Sequence, residues 1–224
     1  MPKFRHEFKH IINPADYYAV RSRLAAVLPH DRYARADGTY KISSLYFDNL
    51  YDKALMEKIN GVNDREKFRI RLYNDDPSFI KLEKKSKKNG LCQKTAERVT
   101  ADEVKRITDG DIEWMKESKK ALLCELYAKM RYQQLRPTVI VSYTREAFVY
   151  PPGNVRVTLD SDIRTALKAT DLLNPDRTEI LTGTDIVMEV KYDEYFPSLI
   201  RDLVQVPDRR SSAFSKYAKC RIYD

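Results

Sequence analysis

The sequence predicts an α+β domain in which eight antiparallel β-strands form a barrel and helices pack on its outside. The first observation is residues 67–73, which alternate without a break, so that Lys67, Arg69 and Arg71 share one strand face and apolar side chains share the other. The second is that this alternation recurs along the chain, with basic residues and an occasional glutamate on the polar face. The third is a set of helical segments with one apolar face, which need an apolar surface to pack on.

Eight segments show the two-residue period or the residue types of a β-strand. They cover residues 3–12, 40–48, 66–74, 78–87, 91–99, 138–150, 155–164 and 186–194. The three strands in the middle of this series are expected to be joined by tight turns. Asp75-Asp76-Pro77 follows the first of these strands, and Asn89-Gly90, after the second, is the strongest hairpin signal in the chain. The sequence therefore predicts an antiparallel meander over residues 66–99.

Helical spacing and capping residues predict the helices between these strands. They cover residues 14–28, 52–59, 100–110, 112–134 and 197–203, with a final helix capped by Ser211 or Ser212. Thr100 is the expected N-cap of its helix, since Glu103 three residues on completes a capping box. Residues 165–184 show no sustained period, and no repeat or linker divides the chain, so we expect a single domain over residues 1–224.

The composition of the chain indicates what kind of protein it is and which kinds of partner suit its charge. With 224 residues, 42% of them hydrophobic, the chain can bury a sizeable core, and a net charge of +8 favours an anionic partner such as nucleic acid, a phosphorylated metabolite or anionic lipid. Three scattered cysteines match no metal or redox motif and suit a reducing cytoplasm. The chain shows neither a signal peptide nor a long uninterrupted apolar run, so we expect a cytoplasmic protein with no membrane span.

Eight strands of this kind can close into a barrel in two ways, which differ in whether the apolar or the charged strand faces line the interior. If the apolar faces filled the interior, the amphipathic helices would lack an apolar surface to pack on. If the helices cover the apolar faces from outside, the charged faces line a polar interior, and this second orientation accounts for more of the sequence. For one strand alone, plain water facing the charges remains the simpler interpretation.

The second orientation places many cations in one interior. They are Arg5, Lys9, Arg69, Arg71, Lys81, Lys94, Arg98, Arg145, Arg156 and Lys191. Desolvated cations need opposite charge, and the inward glutamates Glu7, Glu83 and Glu189 are too few to neutralise them. A polyanion rich in oxygen, such as a triphosphate or a longer phosphate chain, would supply that charge, and guanidinium forks bind it well.

Six motifs in order resemble a known family. They are Arg5-His6-Glu7-Phe8-Lys9, Lys67-Phe68-Arg69-Ile70-Arg71, Phe79-Ile80-Lys81-Leu82-Glu83-Lys84-Lys85, Ser142-Tyr143-Thr144-Arg145-Glu146-Ala147-Phe148, Met188-Glu189-Val190-Lys191-Tyr192 and Phe214-Ser215-Lys216-Tyr217. Together they resemble the VTC domain, the polyphosphate polymerase domain of the vacuolar transporter chaperone. That domain belongs to the CYTH-like triphosphate tunnel metalloenzymes, and the resemblance extends over nearly the whole chain.

The resemblance implies an eight-stranded antiparallel tunnel in which a divalent metal, Mn²⁺ or Mg²⁺, and basic side chains hold ATP while its γ-phosphoryl group passes to inorganic polyphosphate. The phosphate ligands that it implies are Lys9, Arg69, Arg71, Lys81, Lys94, Arg145, Arg156 and Lys216. Lys9, Arg69, Arg71 and Arg145 are the catalytic candidates among them. Further phosphate-binding candidates are Arg5, Arg98, Lys191, Ser215 and Lys219. Glu189 is the implied metal carboxylate, and Glu7 is a second candidate, although Glu7 and Glu83 are more typical of residues that orient neighbouring lysines.

One departure bears on the choice of activity. Hydrolytic members of the superfamily typically begin with Glu-x-Glu-x-Lys, whereas Arg5 occupies the first of these positions here, which resembles the polymerase branch. A tunnel triphosphatase or polyphosphatase and a non-catalytic polyphosphate-binding module remain alternatives. An RNA-binding barrel would need aromatic side chains among the basic ones, and the polar faces are poor in them, so no nucleic-acid polymer is expected.

Overall fold

The computed structural model describes residues 5–88, 91–207 and 211–223. The strands of this part of the chain are β1 (His6–Ile12), β2 (Thr39–Asp48), β3 (Arg65–Tyr73), β4 (Asp76–Lys88), β5 (Leu91–Val99), β6 (Arg136–Tyr150), β7 (Val155–Thr165), β8 (Ile180–Leu181) and β9 (Ile186–Tyr192). The α-helices are α1 (Pro14–Ala25), α2 (Lys53–Ile59), α3 (Ala101–Thr108), α4 (Ala121–Tyr132), α5 (Ser198–Leu203) and α6 (Lys216–Arg221). Short 3-10 helices cover Glu113–Glu117 and Pro152–Asn154.

The strands form one sheet in the order β1-β9-β7-β6-β2-β3-β4-β5, and the short β8 pairs with β7. The pairs β1–β9, β7–β9, β2–β3, β3–β4 and β4–β5 run antiparallel, and all eight predicted strands are present, so the predicted α+β class with an antiparallel sheet is confirmed. Within the described ranges no ladder joins β1 to β5, so backbone hydrogen bonds do not close the sheet. The Asn89-Gly90 turn lies outside the described residues, but Lys88 and Leu91 on either side of it pair across the hairpin.

Contacts group the chain into two compact units, each assembled from three segments. The first unit comprises residues 1–41, 143–163 and 183–215. The second unit comprises residues 42–142, 164–182 and 216–224. The expectation of a single domain stays a prediction.

In the second unit the apolar strand faces pack against helices. Phe68, Ile70 and Leu72 of β3 are at most 1% exposed and lie in one cluster with Ile107 of α3 and Leu126 of α4. Burying a side chain of this size stabilises the fold by about 1.5–3 kcal/mol. The helices therefore cover the apolar face, as predicted, and the cationic side chains of β3 belong to the opposite face.

The first unit repeats this arrangement with different elements. Val157 of β7 and Val190 of β9 are at most 1% exposed and pack with Leu24 of α1 and Ile200 of α5. The alternate residues of β7, beginning at Arg156, consequently project from the other face. None of the described helices is long and apolar enough to cross a bilayer.

Two predicted helices differ from the structure. The helix expected over residues 112–134 is wrong, because the extended backbone of Ser118 (φ −68°, ψ 140°) separates the 3-10 turn from α4. The Cys124 thiol lies 3.2 Å from the Ser118 carbonyl oxygen and satisfies it at this break.

Ser211 and Ser212 do not cap the final helix, which begins at Lys216. Ser211 forms a β-bridge with His10, and the Ser212 amide donates to the Lys9 carbonyl at 2.8 Å. Their backbone extends the pairing along β1, which lies at the end of the strand order. The Thr100 capping box is confirmed, with Glu103 N donating to Thr100 Oγ1 and Thr100 N to Glu103 Oε2.

Candidate functional site

On the polar face of the second unit, the register places like charges side by side. Lys67, Lys85 and Lys94 are direct cross-strand neighbours on β3, β4 and β5. Two residues along each strand the neighbours are Arg69, Glu83 and Ala96, and two further on they are Arg71, Lys81 and Arg98. Like charges directly opposite on neighbouring strands are destabilising. A face that carries two such rows is therefore suited to an anionic ligand.

Glu83 orients the buried arginine at the centre of this face. Arg69 Nε and Nη2 donate to Glu83 Oε2 at 2.8 and 2.6 Å, and the two side chains are 8% and 0% exposed. Lys94 Nζ forms an ion pair with the other carboxylate oxygen, and Arg71 Nε lies 3.9 Å from Oε2. One carboxylate thus faces three cations, which leaves this cluster with excess positive charge.

The excess positive charge shifts the pKa values of the side chains in this cluster. Burial alone would raise the pKa of Glu83, but Arg69, Arg71 and Lys94 outweigh burial and hold that pKa well below its usual range. Desolvation, together with the charges of Arg69 and Arg71, outweighs the attraction of Glu83 and lowers the pKa of Lys94 to about 8. The cluster would be stabilised by additional negative charge.

Other predicted ligands of the second unit lie beside aromatic rings or on the last helix. The Lys81 ammonium and the Arg98 guanidinium lie 4.7 and 4.9 Å from the centroid of the Phe79 ring, on the polar face of β4. Lys216 and Lys219 are half-buried on α6. That helix is tied to β2 because Tyr217 Oη donates to the buried Asp48 carboxylate at 2.5 Å.

The first unit holds a second buried arginine, also oriented by a carboxylate. Arg145 Nε and Nη2 donate to Asp160 Oδ1 and Oδ2 at 2.6 and 2.7 Å, which forms a bidentate pair. The Arg145 side chain is 10% exposed and that of Asp160 is 0% exposed. Arg145 Nη2 also lies 3.7 Å from Glu189 Oε2. Burial would lower the pKa of Arg145, but the Asp160 carboxylate outweighs burial and raises it.

Beside Arg145, two lysines and two glutamates alternate in space. Lys9 Nζ lies 2.5 Å from Glu7 Oε1 and 3.4 Å from Glu189 Oε1, while Lys191 Nζ lies 3.3 Å from Glu7 Oε2 and 3.1 Å from Glu189 Oε1. Burial would lower the pKa of Lys9, but Glu189 and Glu7 outweigh burial and hold it well above its usual range. The four residues bring predicted phosphate and metal ligands together.

Two further predicted cations of the first unit pair with acids that lie outside the strands. Arg156 Nη2 forms an ion pair with Asp31 and donates to Tyr40 Oη at 2.7 Å. Arg5 Nε lies 3.0 Å from Asp193 Oδ1. The sequence analysis missed Asp31 and Asp193, because acidic residues in loops carry no periodic signal that links them to a strand face. Ser215, another predicted phosphate-binding residue, is half-buried and directly precedes α6.

The polar face of β7 also carries buried atoms without a partner. Within the described part of the chain, neither Thr158 Oγ1 nor Arg156 Nε, which are both buried, has a hydrogen-bond partner. Thr158 is the cross-strand neighbour of Glu189. A buried polar group without a partner costs about 1–3 kcal/mol, so a ligand oxygen at this point would be stabilising.

The donors near Glu189 fit a hard divalent cation. Two carboxylates, Glu7 and Glu189, and the Thr158 hydroxyl are oxygen ligands of the kind that Mg²⁺ and Mn²⁺ prefer. The described residues contain no group of three or more His, Cys, Asp or Glu arranged for a metal. A cation at Glu189 would therefore have few protein ligands and would share the carboxylates with Lys9 and Lys191.

Comparisons with known proteins give a family and a fold. The family model described as VTC domain matches residues 4–222. No curated protein matches the chain. Among solved structures, a candidate adenylate cyclase from Bacillus halodurans is similar with a TM-score of 0.51 at 13% identity, over 84% of this chain and 80% of that one. The PH1819 protein of Pyrococcus horikoshii OT3 aligns with a TM-score of 0.44 at 13% identity, over 89% of this chain and 84% of that one.

Proposed function

Because the chain belongs to the VTC domain family, we propose that it is a polyphosphate polymerase-like phosphotransferase, which transfers the γ-phosphoryl group of ATP to a polyphosphate chain with Mg²⁺ or Mn²⁺. The observation that carries this proposal is the buried guanidinium held by a buried carboxylate, found as Arg69–Glu83 in the second unit and as Arg145–Asp160 in the first. The family match and the fold support a triphosphate-tunnel phosphotransferase family, and the two buried arginines among further cations support transfer to a phosphate chain.

These pairs suit phosphoryl transfer because that reaction needs positioning and charge neutralisation more than a covalent protein group. A guanidinium that is already fixed by a carboxylate requires little reorganisation when a phosphate oxygen arrives. Low solvent exposure strengthens the attraction, since it lowers the effective dielectric. Arg69 and Arg145 would thus bind phosphate oxygens in orientations that the folded protein has already established.

The other cations of each unit would bind the rest of the anion. In the second unit, the excess positive charge of Arg71, Lys94 and their neighbours would be neutralised by phosphate. In the first unit, Arg156 Nε would donate to a phosphate oxygen and gain the partner that it lacks among the described residues. Lys9 and Lys191 would exchange part of their contact with the glutamates for contact with phosphate.

The divalent cation would be held by Glu189, with Glu7 and Thr158 as further oxygen donors on the neighbouring strands. It would neutralise charge on the phosphoryl oxygens as a Lewis acid. Glu189 would orient Lys9, Lys191 and the nearby Arg145 toward the same anion, since all three contact its carboxylate.

The test is to incubate the purified protein with ATP and Mn²⁺ or Mg²⁺, and to measure polyphosphate on a stained gel and free phosphate in solution. Long chains support the proposal. Release of free phosphate without chains would instead identify a tunnel hydrolase, and polyphosphate binding without any product would identify a binding module.

Matched variants test whether the activity depends on the proposed residues. Arg69→Ala and Arg145→Ala should each abolish chain synthesis, since each removes a buried phosphate ligand. Arg106→Ala serves as the control, because Arg106 lies on α3 and pairs at the surface with Asp111. Wild-type synthesis by Arg69→Ala would contradict the proposed site.

A further inference from the structure

Tyr46 of β2 lies in the cationic face of the second unit, and the sequence analysis did not select it. Its side chain is 4% exposed, and its phenol oxygen accepts a hydrogen bond from Arg69 Nη1 at 2.9 Å. The Lys67 ammonium lies 5.5 Å from the centroid of the Tyr46 ring. Tyr46 is also the cross-strand neighbour of Arg69 on the adjacent strand.

Tyr46 and Glu83 contact different parts of the same guanidinium. Glu83 accepts from Nε and Nη2 of Arg69, whereas Tyr46 accepts from Nη1. With acceptors on both sides, the planar group can neither rotate about its long axis nor tilt out of the sheet face without losing a hydrogen bond. The ring is in turn held by stacking on Tyr217 of α6, at 5.0 Å and 27° between the planes.

We propose that Tyr46 is a positioning residue that holds the Arg69 guanidinium in the orientation needed to bind phosphate, and that anion binding at Arg69 is linked to the protonation of this phenol. The inference rests on the proposed function, since it assumes that Arg69 binds phosphate. It adds a residue with a distinct chemical signature, because a tyrosine can lose its proton.

The surroundings of the phenol explain the linkage. From β3 it faces Lys67, Arg69 and Arg71, and burial alone would raise its pKa, but these three cations outweigh burial and lower the pKa of Tyr46 to about 8. A phosphate bound to the same cations would neutralise them and raise the pKa again. Binding near pH 8 should therefore be accompanied by proton uptake at Tyr46.

Other titratable groups pack against the same cluster. From β4 and β5 these are Glu83 and Lys94, from α6 it is Tyr217, and from β2 itself it is Asp48. Burial and the Asp48 carboxylate raise the pKa of Tyr217, so this second phenol stays neutral. The pKa of Lys94 is lowered into the same range as that of Tyr46, so proton uptake measured on binding does not by itself show which of the two groups takes the proton.

The experiment combines tyrosinate absorbance with calorimetry, and its probe is inorganic tripolyphosphate. In the wild type, one phenol should ionise near pH 8, and this step should be missing in Tyr46→Phe, which keeps the ring stack on Tyr217. At pH 7 Tyr46→Phe should bind tripolyphosphate about tenfold more weakly, because the Arg69 guanidinium is no longer held on both sides and must be ordered when the anion binds. Calorimetry of Tyr46→Phe in buffers of different ionisation enthalpy should show less proton uptake near pH 8, and Lys94→Met should retain the tyrosinate step.

Two controls make the outcomes decisive. Tyr127→Phe removes a surface hydrogen bond to Glu113 and should match the wild type throughout. If the wild type binds tripolyphosphate and Tyr46→Phe has the same affinity and the same proton uptake, the inference about Tyr46 is overturned and the proposed function stands. If the wild type itself does not bind tripolyphosphate, the proposed function fails and the inference fails with it.

Discussion

Replacing Glu83 with glutamine should weaken the fold and strengthen anion binding at the same time. The wild-type carboxylate is fully buried and contacts Arg69, Arg71 and Lys94. Glu83→Gln keeps the shape and one hydrogen-bond acceptor but removes the negative charge. The unliganded variant would then leave the buried Arg69 and Arg71 and the half-exposed Lys94 without their shared anion.

The size of the first effect follows from the burial of the pair. Removing one partner of a buried ion pair costs about 3–5 kcal/mol. For a protein of this length, 1 kcal/mol shifts the melting temperature by about 2–4 °C, so we expect a decrease of about 6–20 °C. A partly exposed ion pair contributes about 0–1 kcal/mol, which makes Glu125→Gln, whose wild-type glutamate pairs with Lys84 and is 36% exposed, a suitable control.

The second effect has the opposite sign. A phosphate bound about 7 Å from the Glu83 carboxylate would be repelled by about 2 kcal/mol at an effective dielectric of about 20. Without that charge, tripolyphosphate should bind more than about tenfold more tightly, and it should raise the melting temperature of Glu83→Gln by more than that of the wild type.

The pH dependence of the wild type gives an independent check. The folded pKa of Glu83 lies below its unfolded value, so the pair stabilises the fold above the unfolded pKa of about 4.3 and the benefit is lost as pH falls toward the folded value. The stability difference between wild type and Glu83→Gln should therefore shrink below about pH 4.

Thermal unfolding with and without tripolyphosphate, together with calorimetric binding at pH 7, measures both effects of Glu83→Gln. A melting temperature within about 4 °C of the wild type, which is the range of a surface pair, would refute the reasoning about the buried charge. Weaker anion binding by Glu83→Gln would refute the reasoning about excess positive charge.

The remaining predictions concern the metal, the salt dependence and a helix cap. Without metal, Glu189→Gln should bind tripolyphosphate at least as tightly as the wild type, because a carboxylate beside the same cations loses its charge. Its turnover should lose the dependence on Mn²⁺, since one charged ligand is removed from a site with few others; an unchanged metal titration of activity would contradict this. Affinity for polyphosphate should fall steeply between low and high salt because counterions are released, and Arg145→Ala should reduce the slope by about one, as measured by fluorescence titration; a flat salt dependence would rule out a phosphate chain bound through these cations. Thr100→Ala should lower the free energy of unfolding by about 1 kcal/mol in urea and leave turnover unchanged, because it removes only the cap of α3; a loss of activity equal to that of Arg69→Ala would show that stability, and not the site, limits turnover.

The sequence by itself determined the strands, their two faces and the cations on the polar face. The alternation around Arg69 and Ile70 is a local property, because successive side chains on a strand point to opposite sides whatever the rest of the chain does. The capping box of Thr100 and Glu103 is likewise local, since both partners lie within one helical turn. These features were predictable without knowledge of the tertiary structure, and so was the resemblance to the VTC domain.

Only the tertiary structure decided which acid each cation contacts. Asp31 is far from Arg156 in the chain, and Tyr46 meets Arg69 only because β2 and β3 pair in one register, so no local pattern identifies either partner. The break at Ser118 has the same origin, because helical spacing continues through a stretch whose backbone turns away to let α4 pack on the sheet. Periodicity depends on neighbours in sequence, whereas the orientation and acidity of a buried charge depend on neighbours in space.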